Sequence, residues 1–199
     1  MPTQTKNFYN THYQELITKY DNIELKELYS LLDRYIKPNH NVLDIGFGSG
    51  RDLRYIQSLR ANGYGVDATQ GFVDNMKRDP HFKNRVFCTA LPNLNIPLNI
   101  QFDVVTAIAM IMHLTIKELE ASIIEIKKYL KPNGVIIISY STGNRANDPR
   151  FFEKLDYQII KKLFEKHFFK EIEVISNHDK LDRDLVWVTY VFQRSIASE

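Results

Sequence analysis

The sequence predicts an α/β protein with a mostly parallel sheet of seven strands and helices on both of its faces. Apolar runs of strand length alternate with segments whose apolar residues recur at helical spacing. The first run, residues 42–45, leads directly into the glycine-rich segment 46–50 and then into a helix. The runs 102–110 and 135–140 are apolar almost throughout, as expected of strands that helices cover on both faces.

Length and composition limit the class of protein. A chain of 199 residues is long enough for one domain with a sizeable core. A net charge of only +2 gives no argument for a nucleic-acid partner, which would need a concentrated basic face, so none is expected. The single cysteine, Cys88, excludes an internal disulfide and a cysteine-rich metal site. The sequence shows no signal-peptide pattern and no apolar run of membrane-spanning length. We therefore expect a cytoplasmic protein without a membrane partner, either a monomer or a homodimer.

The N-terminal region is predicted to be helical after a loose start. Residues 1–10 are polar, and we expect the very end of the chain to be loosely ordered. From Phe8, aromatic and apolar residues recur at helical spacing up to Tyr20, and they do so again from about Ile23. Lys37-Pro38 ends the second helix, because the residue before proline disfavours helical dihedrals.

The glycine-rich segment predicts a strand, a tight turn and a helix N-terminus. Such a turn presents free backbone N–H groups and the positive end of the helix dipole to an anionic group. The helix after it is predicted to run to about Ala61, with Asn62-Gly63 as its glycine cap.

A second strand, residues 64–68, carries an acid near its end. Asp67 lies about twenty residues after the turn, a position from which a carboxylate can accept both hydroxyls of a ribose. The alternative interpretation of Asp67 is an N-cap for the helix that starts near Gln70. A third strand, residues 85–88, follows that helix.

The second half of the chain continues the alternation and then changes. Thr115 and Glu118 have the spacing of a capping box, which predicts a helix start after the fourth strand. Residues 131–134 predict a sharp turn before the fifth strand, and residues 155–167 predict a helix. The last two strands, 170–176 and 185–194, follow each other without a helix between them and predict an antiparallel pair.

Five motifs in this order resemble the class I S-adenosylmethionine-dependent methyltransferases, from about residue 8 to residue 194. They are the glycine motif at 42–50, the strand ending in an acid at 65–67, the fourth strand at 102–105, the segment ending in His-Leu at 109–114 and the Leu-Lys-Pro-Asn-Gly turn and strand at 130–138. Each motif alone is weak, and the five together are specific. Within the class, the small bacterial, tellurite-resistance-like methyltransferases are the most similar.

The resemblance implies one methyltransferase domain over residues 1–199 with a Rossmann-like sheet. The implied strand order is 3-2-1-4-5-7-6 with the last strand antiparallel, and helices over residues 1–37 would form a lid on a core at 40–194. S-adenosylmethionine is the implied cofactor and S-adenosylhomocysteine its product. The implied cofactor-binding residues are Asp44, Gly46, Phe47, Gly48, Gly50, Arg51, Asp67, Ala68, Thr89, Ala90, Leu91 and Ile108.

Two of these assignments have particular reasons. In the family, the acid at the position of Asp44 lies near the methionine ammonium of the cofactor. Many relatives also have an acid before the Leu-Pro that follows strand three, and here that stretch is Thr89-Ala90-Leu91-Pro92. We therefore expect backbone groups near Thr89 and Ala90 to hold the adenine, with Leu91 or Ala68 beside the ring.

Two alternatives to methyl transfer remain. A nicotinamide-dependent reductase would need a third glycine where this chain has Arg51, so the glycine pattern disfavours it. A regulator or assembly partner that binds S-adenosylmethionine without transferring its methyl group would have the same motifs. The sequence has neither a phosphate-loop motif nor a His-Glu-x-x-His metal motif, so no metal is expected.

A small molecule is the expected methyl acceptor, because no motif for DNA amino-methylation and no RNA-binding module is present. Methyl transfer needs an aligned nucleophile and, for some acceptors, removal of a proton. The catalytic candidates are His113, which follows strand four, and Tyr13; a structural role at the strand–helix junction is the alternative for His113. The substrate-binding candidates are Tyr9, His12, Tyr140 and Arg145. Arg145 could bind an acidic acceptor, although a lone loop arginine is usually solvated, and Trp187 is expected in the core.

Overall fold

Seven strands form one sheet in the computed structural model, which describes residues 1–143, 145, 148–179 and 183–195. The strands are β1 (Asn41–Ile45), β2 (Asn62–Asp67), β3 (Val86–Cys88), β4 (Phe102–Ala107), β5 (Leu130–Gly143), β6 (Phe169–His178) and β7 (Leu185–Arg194). Their order is β3-β2-β1-β4-β5-β7-β6. Neighbours among β1 to β5 are parallel, whereas β7 is antiparallel to both β5 and β6. The predicted Rossmann-like fold and its strand order are therefore confirmed.

Helices cover both faces of the sheet in the described part of the chain. They are α1 (Thr3–Asp21), α2 (Lys26–Tyr35), α3 (Arg51–Ser58), α4 (Gln70–Met76), α5 (Ile116–Tyr129) and α6 (Tyr157–Lys166). Alternate residues of the central strands point to opposite faces. Val105 and Ile136 pack in a cluster with α5 and α6, and Val104 and Ile137 pack in another cluster with α2 and α3.

The N-terminal helix begins earlier than the sequence predicts. α1 starts at Thr3, five residues before Phe8, so only Met1 and Pro2 precede the helix. Thr5 is fully buried, and its hydroxyl accepts a hydrogen bond of 2.8 Å from the backbone N–H of Phe151. Further along, Leu16 packs with Phe72 of α4 in a third apolar cluster. The hydrogen bond between Thr5 and Phe151 joins the polar start of α1 to a distant loop and orders it. The lid role of residues 1–37 stays a prediction.

The end of α3 also differs from the prediction. The helix ends at Ser58, and Arg60, not Gly63, adopts the left-handed conformation that follows it, with φ 62°. Gly63 lies inside β2, opposite Val42 of β1. A Cβ at Gly63 would lie 3.1 Å from Cδ1 of Leu53, so this glycine allows α3 to pack closely on the sheet.

The topology places a crevice at one edge of the sheet. From β1 the chain builds outward to β2 and β3, then crosses back so that β4 lies on the other side of β1. Ligands of open α/β sheets bind beyond the carboxyl ends of the strands at such a reversal. The predicted capping box at this edge is confirmed, since Thr115 and Glu118 each bind the other's backbone N–H. Among the described residues, no helix is both long and apolar enough to cross a membrane.

Candidate functional site

A cavity of about 450 Å³ lies at the carboxyl ends of β1, β2, β4 and β5. This volume is in the range of cavities that hold small molecules. We distinguish two parts of its lining. The turn side consists of Gly46, Phe47, Gly48, Asp67 and Ala68. The aromatic side consists of Tyr9, His113, Arg145, Arg150 and Phe152.

On the turn side, Asp67 binds the glycine turn from the neighbouring strand. Its Oδ2 accepts a hydrogen bond of 2.9 Å from Gly48 N, and its Oδ1 accepts one of 2.8 Å from Thr69 N. Burial raises the pKa of this carboxyl above its usual value, although the two backbone N–H groups oppose the shift. Asp67 thus braces the turn and the start of α4 at the same time.

The turn itself depends on backbone conformations that favour glycine. Gly46 has φ 74° and Gly50 has φ 81°. A Cβ at Gly46 would lie 3.0 Å from Cβ of Met110, which lines the cavity. A Cβ at Gly50 would lie 2.4 Å from Sδ of Met76, so Gly50 packs against α4.

Behind the turn, Asp44 is a buried carboxylate with one free oxygen. Its side chain accepts a 2.7 Å hydrogen bond from the Thr106 hydroxyl at Oδ1, whereas Oδ2 has no partner among the described residues. Burial, and secondarily the charge of Asp52, raises the pKa of Asp44 to about 7. A buried, unpartnered carboxylate oxygen is costly, so a cationic group nearby would stabilise it.

Arg51 lines the cavity with its charge already compensated. Its Nε and Nη2 each donate to Asp52 at 2.9 Å, and Nη1 donates to the carbonyl oxygen of Tyr20 at 3.0 Å. The side chain therefore connects the last turn of α1 to the start of α3.

On the aromatic side, four side chains form a continuous hydrogen-bonded chain. The Tyr9 hydroxyl lies 3.0 Å from Nε2 of His113 and accepts a 3.0 Å hydrogen bond from Nη1 of Arg150. Nε and Nη2 of Arg150 donate to Asp148 at 2.9 and 2.6 Å. The chain brings together residues from α1, from the segment after β4 and from the loop after β5.

The partners of His113 define its tautomer. Nδ1 lies 2.8 Å from the carbonyl oxygen of Phe151, which can only accept, so Nδ1 bears the proton. Nε2 is then an acceptor, and the Tyr9 hydroxyl donates to it. Burial, assisted by the charges of Arg150 and Arg145, lowers the pKa of His113 to about 4. The imidazole is therefore neutral at physiological pH.

The lowered pKa of His113 predicts a pH-dependent stability. Between pH 6.5 and about 4 the unfolded chain binds a proton at this histidine and the folded chain does not. Stability should thus fall as the pH drops through this window, by up to about 3 kcal/mol. Thermal unfolding from pH 7 to 4 should show a smaller loss in His113→Asn, whose amide can still donate to Phe151. Exposed His81→Asn is the matched control, and parallel curves for all three proteins would contradict the assignment.

The comparisons with known proteins agree with this geometry. Residues 43–138 match the family model described as a methyltransferase domain. The match covers the glycine turn, Asp67 and His113. Curated protein sequences give no significant match.

Solved structures share the fold over almost the whole chain. The 1,6-didemethyltoxoflavin-N1-methyltransferase of Burkholderia thailandensis, solved with 1,6-didemethyltoxoflavin and S-adenosylhomocysteine, has a TM-score of 0.80 at 15% identity, over 97% of this chain and 88% of its own. The magnesium protoporphyrin IX methyltransferase of Synechocystis PCC 6803, solved with S-adenosylhomocysteine, has a TM-score of 0.75 at 15% identity, over 96% of this chain and 97% of its own. The [4+2]-cyclase SpnF has a TM-score of 0.65 at 17% identity, over 86% of this chain and 81% of its own. At such identities these likenesses establish the fold.

The structure brings most of the predicted site residues to the cavity. The predicted cofactor residues that line it are Gly46, Phe47, Gly48, Arg51, Asp67, Ala68, Thr89, Ala90, Leu91 and Ile108. Of the acceptor-side predictions, Tyr9, His12, His113 and Arg145 line it as well. Their roles toward a ligand stay predictions.

Four predicted residues lie outside the lining. Asp44 is buried behind the turn, and Gly50 packs on Met76. Tyr13 packs against Gly71, where a Cβ would lie 2.7 Å from its ring. Tyr140 is 1% exposed and stacks on Tyr190 in the core, at a centroid separation of 6.1 Å. A direct contact of Tyr13 or Tyr140 with a ligand is therefore not supported.

Sequence reasoning missed three residues that line the cavity. The sequence analysis assigns no role to Phe152 or Arg150, and Trp187, which it expects in the core, lines the cavity. The sequence indicates the position of Trp187, because the charged loop before it contains Asp179. That carboxylate accepts a 2.7 Å hydrogen bond from the indole N–H of Trp187. An indole that needs a polar partner lies at a core boundary more often than inside it.

Proposed function

We propose that this protein transfers the methyl group of S-adenosylmethionine to a small molecule by in-line displacement. The observation that carries the proposal is one cavity bounded both by the turn that Asp67 braces and by the Tyr9–His113 pair. One part of such a cavity can hold a nucleoside, and the other can align and deprotonate a nucleophile. The family match over residues 43–138 supports the same activity.

The residues of the turn side fit S-adenosylmethionine chemically. Each oxygen of Asp67 accepts one backbone hydrogen bond and retains a lone pair for a ribose hydroxyl. From behind the turn, the unpartnered Oδ2 of Asp44 provides a negative potential suited to the ammonium of the methionine moiety. Thr89, Ala90 and Leu91 supply the backbone groups and the apolar contact for the adenine.

When bound, S-adenosylmethionine supplies a methyl group on a positively charged sulfur, which is a good leaving group. The protein must orient the acceptor, exclude water and take up the acceptor's proton. Tyr9 can receive that proton at its hydroxyl oxygen while passing its own to Nε2 of His113, since the two groups are already hydrogen-bonded at 3.0 Å.

The weak basicity of His113 is compatible with this role. Its pKa of about 4 is far too low to deprotonate a free hydroxyl before transfer. A hydroxyl that has begun to bond to the methyl carbon is much more acidic, because positive charge develops on its oxygen. A neutral, buried imidazole can accept the proton at that stage, so the timing follows from the pKa.

Several observations support a small acceptor from solution. The cavity of about 450 Å³ has to hold the cofactor as well as the acceptor. The structural neighbours described as methyltransferases include enzymes named for small-molecule substrates. A homodimer or a monomer is compatible with this acceptor, and so is a cytoplasmic location.

Isothermal titration calorimetry tests the cofactor assignment. We expect S-adenosylmethionine and S-adenosylhomocysteine to bind and NADH not to bind; binding of NADH alone would overturn the proposal in favour of a reductase. Turnover then separates transfer from binding without transfer. The second candidate, a protein that binds the cofactor without transferring its methyl group, deserves that test because a [4+2]-cyclase has the same fold.

A further inference from the structure

Arg145 is a cation on the aromatic side without a carboxylate partner in the part of the chain that the structure describes. Its Nη2 donates to the Ser141 hydroxyl. The two other arginines nearby are each bound to an aspartate through two hydrogen bonds, Arg150 to Asp148 and Arg183 to Asp179. Among these five described side chains, the two aspartates compensate two of the three guanidinium charges, which leaves a net charge of +1 at Arg145.

The position of Arg145 is constrained by aromatic rings. Its guanidinium carbon lies 4.3 Å from the centroid of Phe152 and 5.9 Å from that of Trp187. Both rings line the cavity, as does Arg145 itself. Stacking on aromatic rings holds a guanidinium plane while leaving its N–H groups free to bind an anion in their plane.

Electrostatics favours an anion beside this guanidinium. Partial burial, together with the positive charges of Arg183 and Arg150, lowers the pKa of Arg145. Burial and these two neighbouring charges raise the free energy of the charged form of Arg145, and a bound carboxylate would compensate them. A single uncompensated guanidinium matches the one negative charge of a carboxylate better than the two of a phosphate dianion, and its planar fork can donate two parallel hydrogen bonds to that carboxylate.

Phe152 also sets an upper limit on the distance between Arg145 and His113 of the Tyr9–His113 pair. The ring centroid of His113 lies 4.7 Å from that of Phe152, on whose ring Arg145 stacks at 4.3 Å. The guanidinium carbon of Arg145 and the ring centroid of His113 therefore lie no farther apart than the sum of these two distances. One small molecule can contact Arg145 and Tyr9 together.

We propose that the methyl acceptor is a small carboxylic acid whose carboxylate binds Arg145 while its nucleophilic atom lies at Tyr9. This inference rests on the proposed methyl transfer and narrows its substrate class. The acceptor then loses only the proton of its nucleophilic atom, and its carboxylate remains ionised throughout.

The test is ligand binding to the protein saturated with S-adenosylhomocysteine. The probes are hydroxybenzoates, aminobenzoates and short hydroxy acids, each paired with its neutral primary amide. We expect one or more acids to bind at least about tenfold more tightly than the matching amide, the size of a charged hydrogen bond. Arg145→Gln should abolish this preference, and Arg78→Gln, which changes an exposed arginine, should retain it.

The outcomes separate this inference from the proposed function. If the wild-type protein does not bind S-adenosylhomocysteine, the proposed function itself is overturned. Normal cofactor binding with equal affinity for acids and amides, or with binding of neither, would overturn only the acid acceptor. A tenfold weaker affinity for S-adenosylhomocysteine in Arg145→Gln would also overturn it, because Arg145 would then bind the carboxylate of the cofactor.

Discussion

Replacing Asp67 by alanine is expected to weaken the binding of S-adenosylmethionine by about 1–3 kcal/mol, a roughly five- to 150-fold loss of affinity. The carboxylate has two tasks in the proposed site. It accepts hydrogen bonds from Gly48 N and Thr69 N, and it retains lone pairs for the ribose hydroxyls. The variant loses both the ligand contacts and the brace that holds the turn in its binding conformation.

The design of this experiment has to separate ligand contact from folding. Asp67→Ala removes two acceptors of backbone hydrogen bonds, so its thermal midpoint should fall as well, and affinities should be measured well below that midpoint. Asp67→Asn keeps the shape and one acceptor oxygen, and should bind with intermediate affinity. Exposed Asp74→Ala, on α4, is the matched control. Unchanged cofactor affinity in Asp67→Ala would mean that the residue serves only the turn and the start of α4.

The turn side of the site could be predicted because it depends on local sequence and sheet topology. A glycine-rich segment after a buried strand can form few structures, and the carboxyl ends of adjacent parallel strands meet at one edge. Asp67 and Gly48 are therefore brought together by the pairing of β1 with β2, which the order of elements implies. No knowledge of side-chain packing was needed.

The aromatic side depends on contacts that local patterns do not contain. Tyr9 and Tyr13 are four residues apart and lie on nearly the same face of α1, so periodicity gives both the same weight. The docking of α1 on α4 separates them, because Gly71 leaves room for the Tyr13 ring whereas Tyr9 reaches His113. The pattern from Phe8 onward misses the earlier start of α1 for a similar reason, since Thr5 is ordered by Phe151, 146 residues away.

One error could have been avoided from the sequence. Residues of β5 alternate between the two faces of the sheet, and Tyr140 shares its parity with Ile136 and Ile138, which belong to the same core cluster. Ser139 has the opposite parity and lines the cavity. The strand period alone predicts that Tyr140 points away from a site containing Ser139.

Replacing Tyr9 by phenylalanine is expected to lower kcat by about 10²-fold or more, the usual contribution of a group that transfers a proton in the transition state. The variant removes only the hydroxyl that lies between Arg150 and His113. The ring remains for packing on Phe72 and for the edge contact with His113. The cofactor affinity should stay within about twofold of the wild-type value, since the hydroxyl is not among the groups proposed to bind it.

Tyr13→Phe is the matched control, since it removes the same atom from the same helix one turn away and outside the cavity. The measurement is the release of S-adenosylhomocysteine with an acceptor that the wild-type protein methylates. A loss of kcat confined to Tyr9→Phe would assign proton uptake to the Tyr9–His113 pair. Equal turnover in both variants would leave the hydrogen-bonded chain as a structural link between α1 and the loop after β5. Methyl transfer would then proceed without a protein base, as the leaving ability of a sulfonium permits.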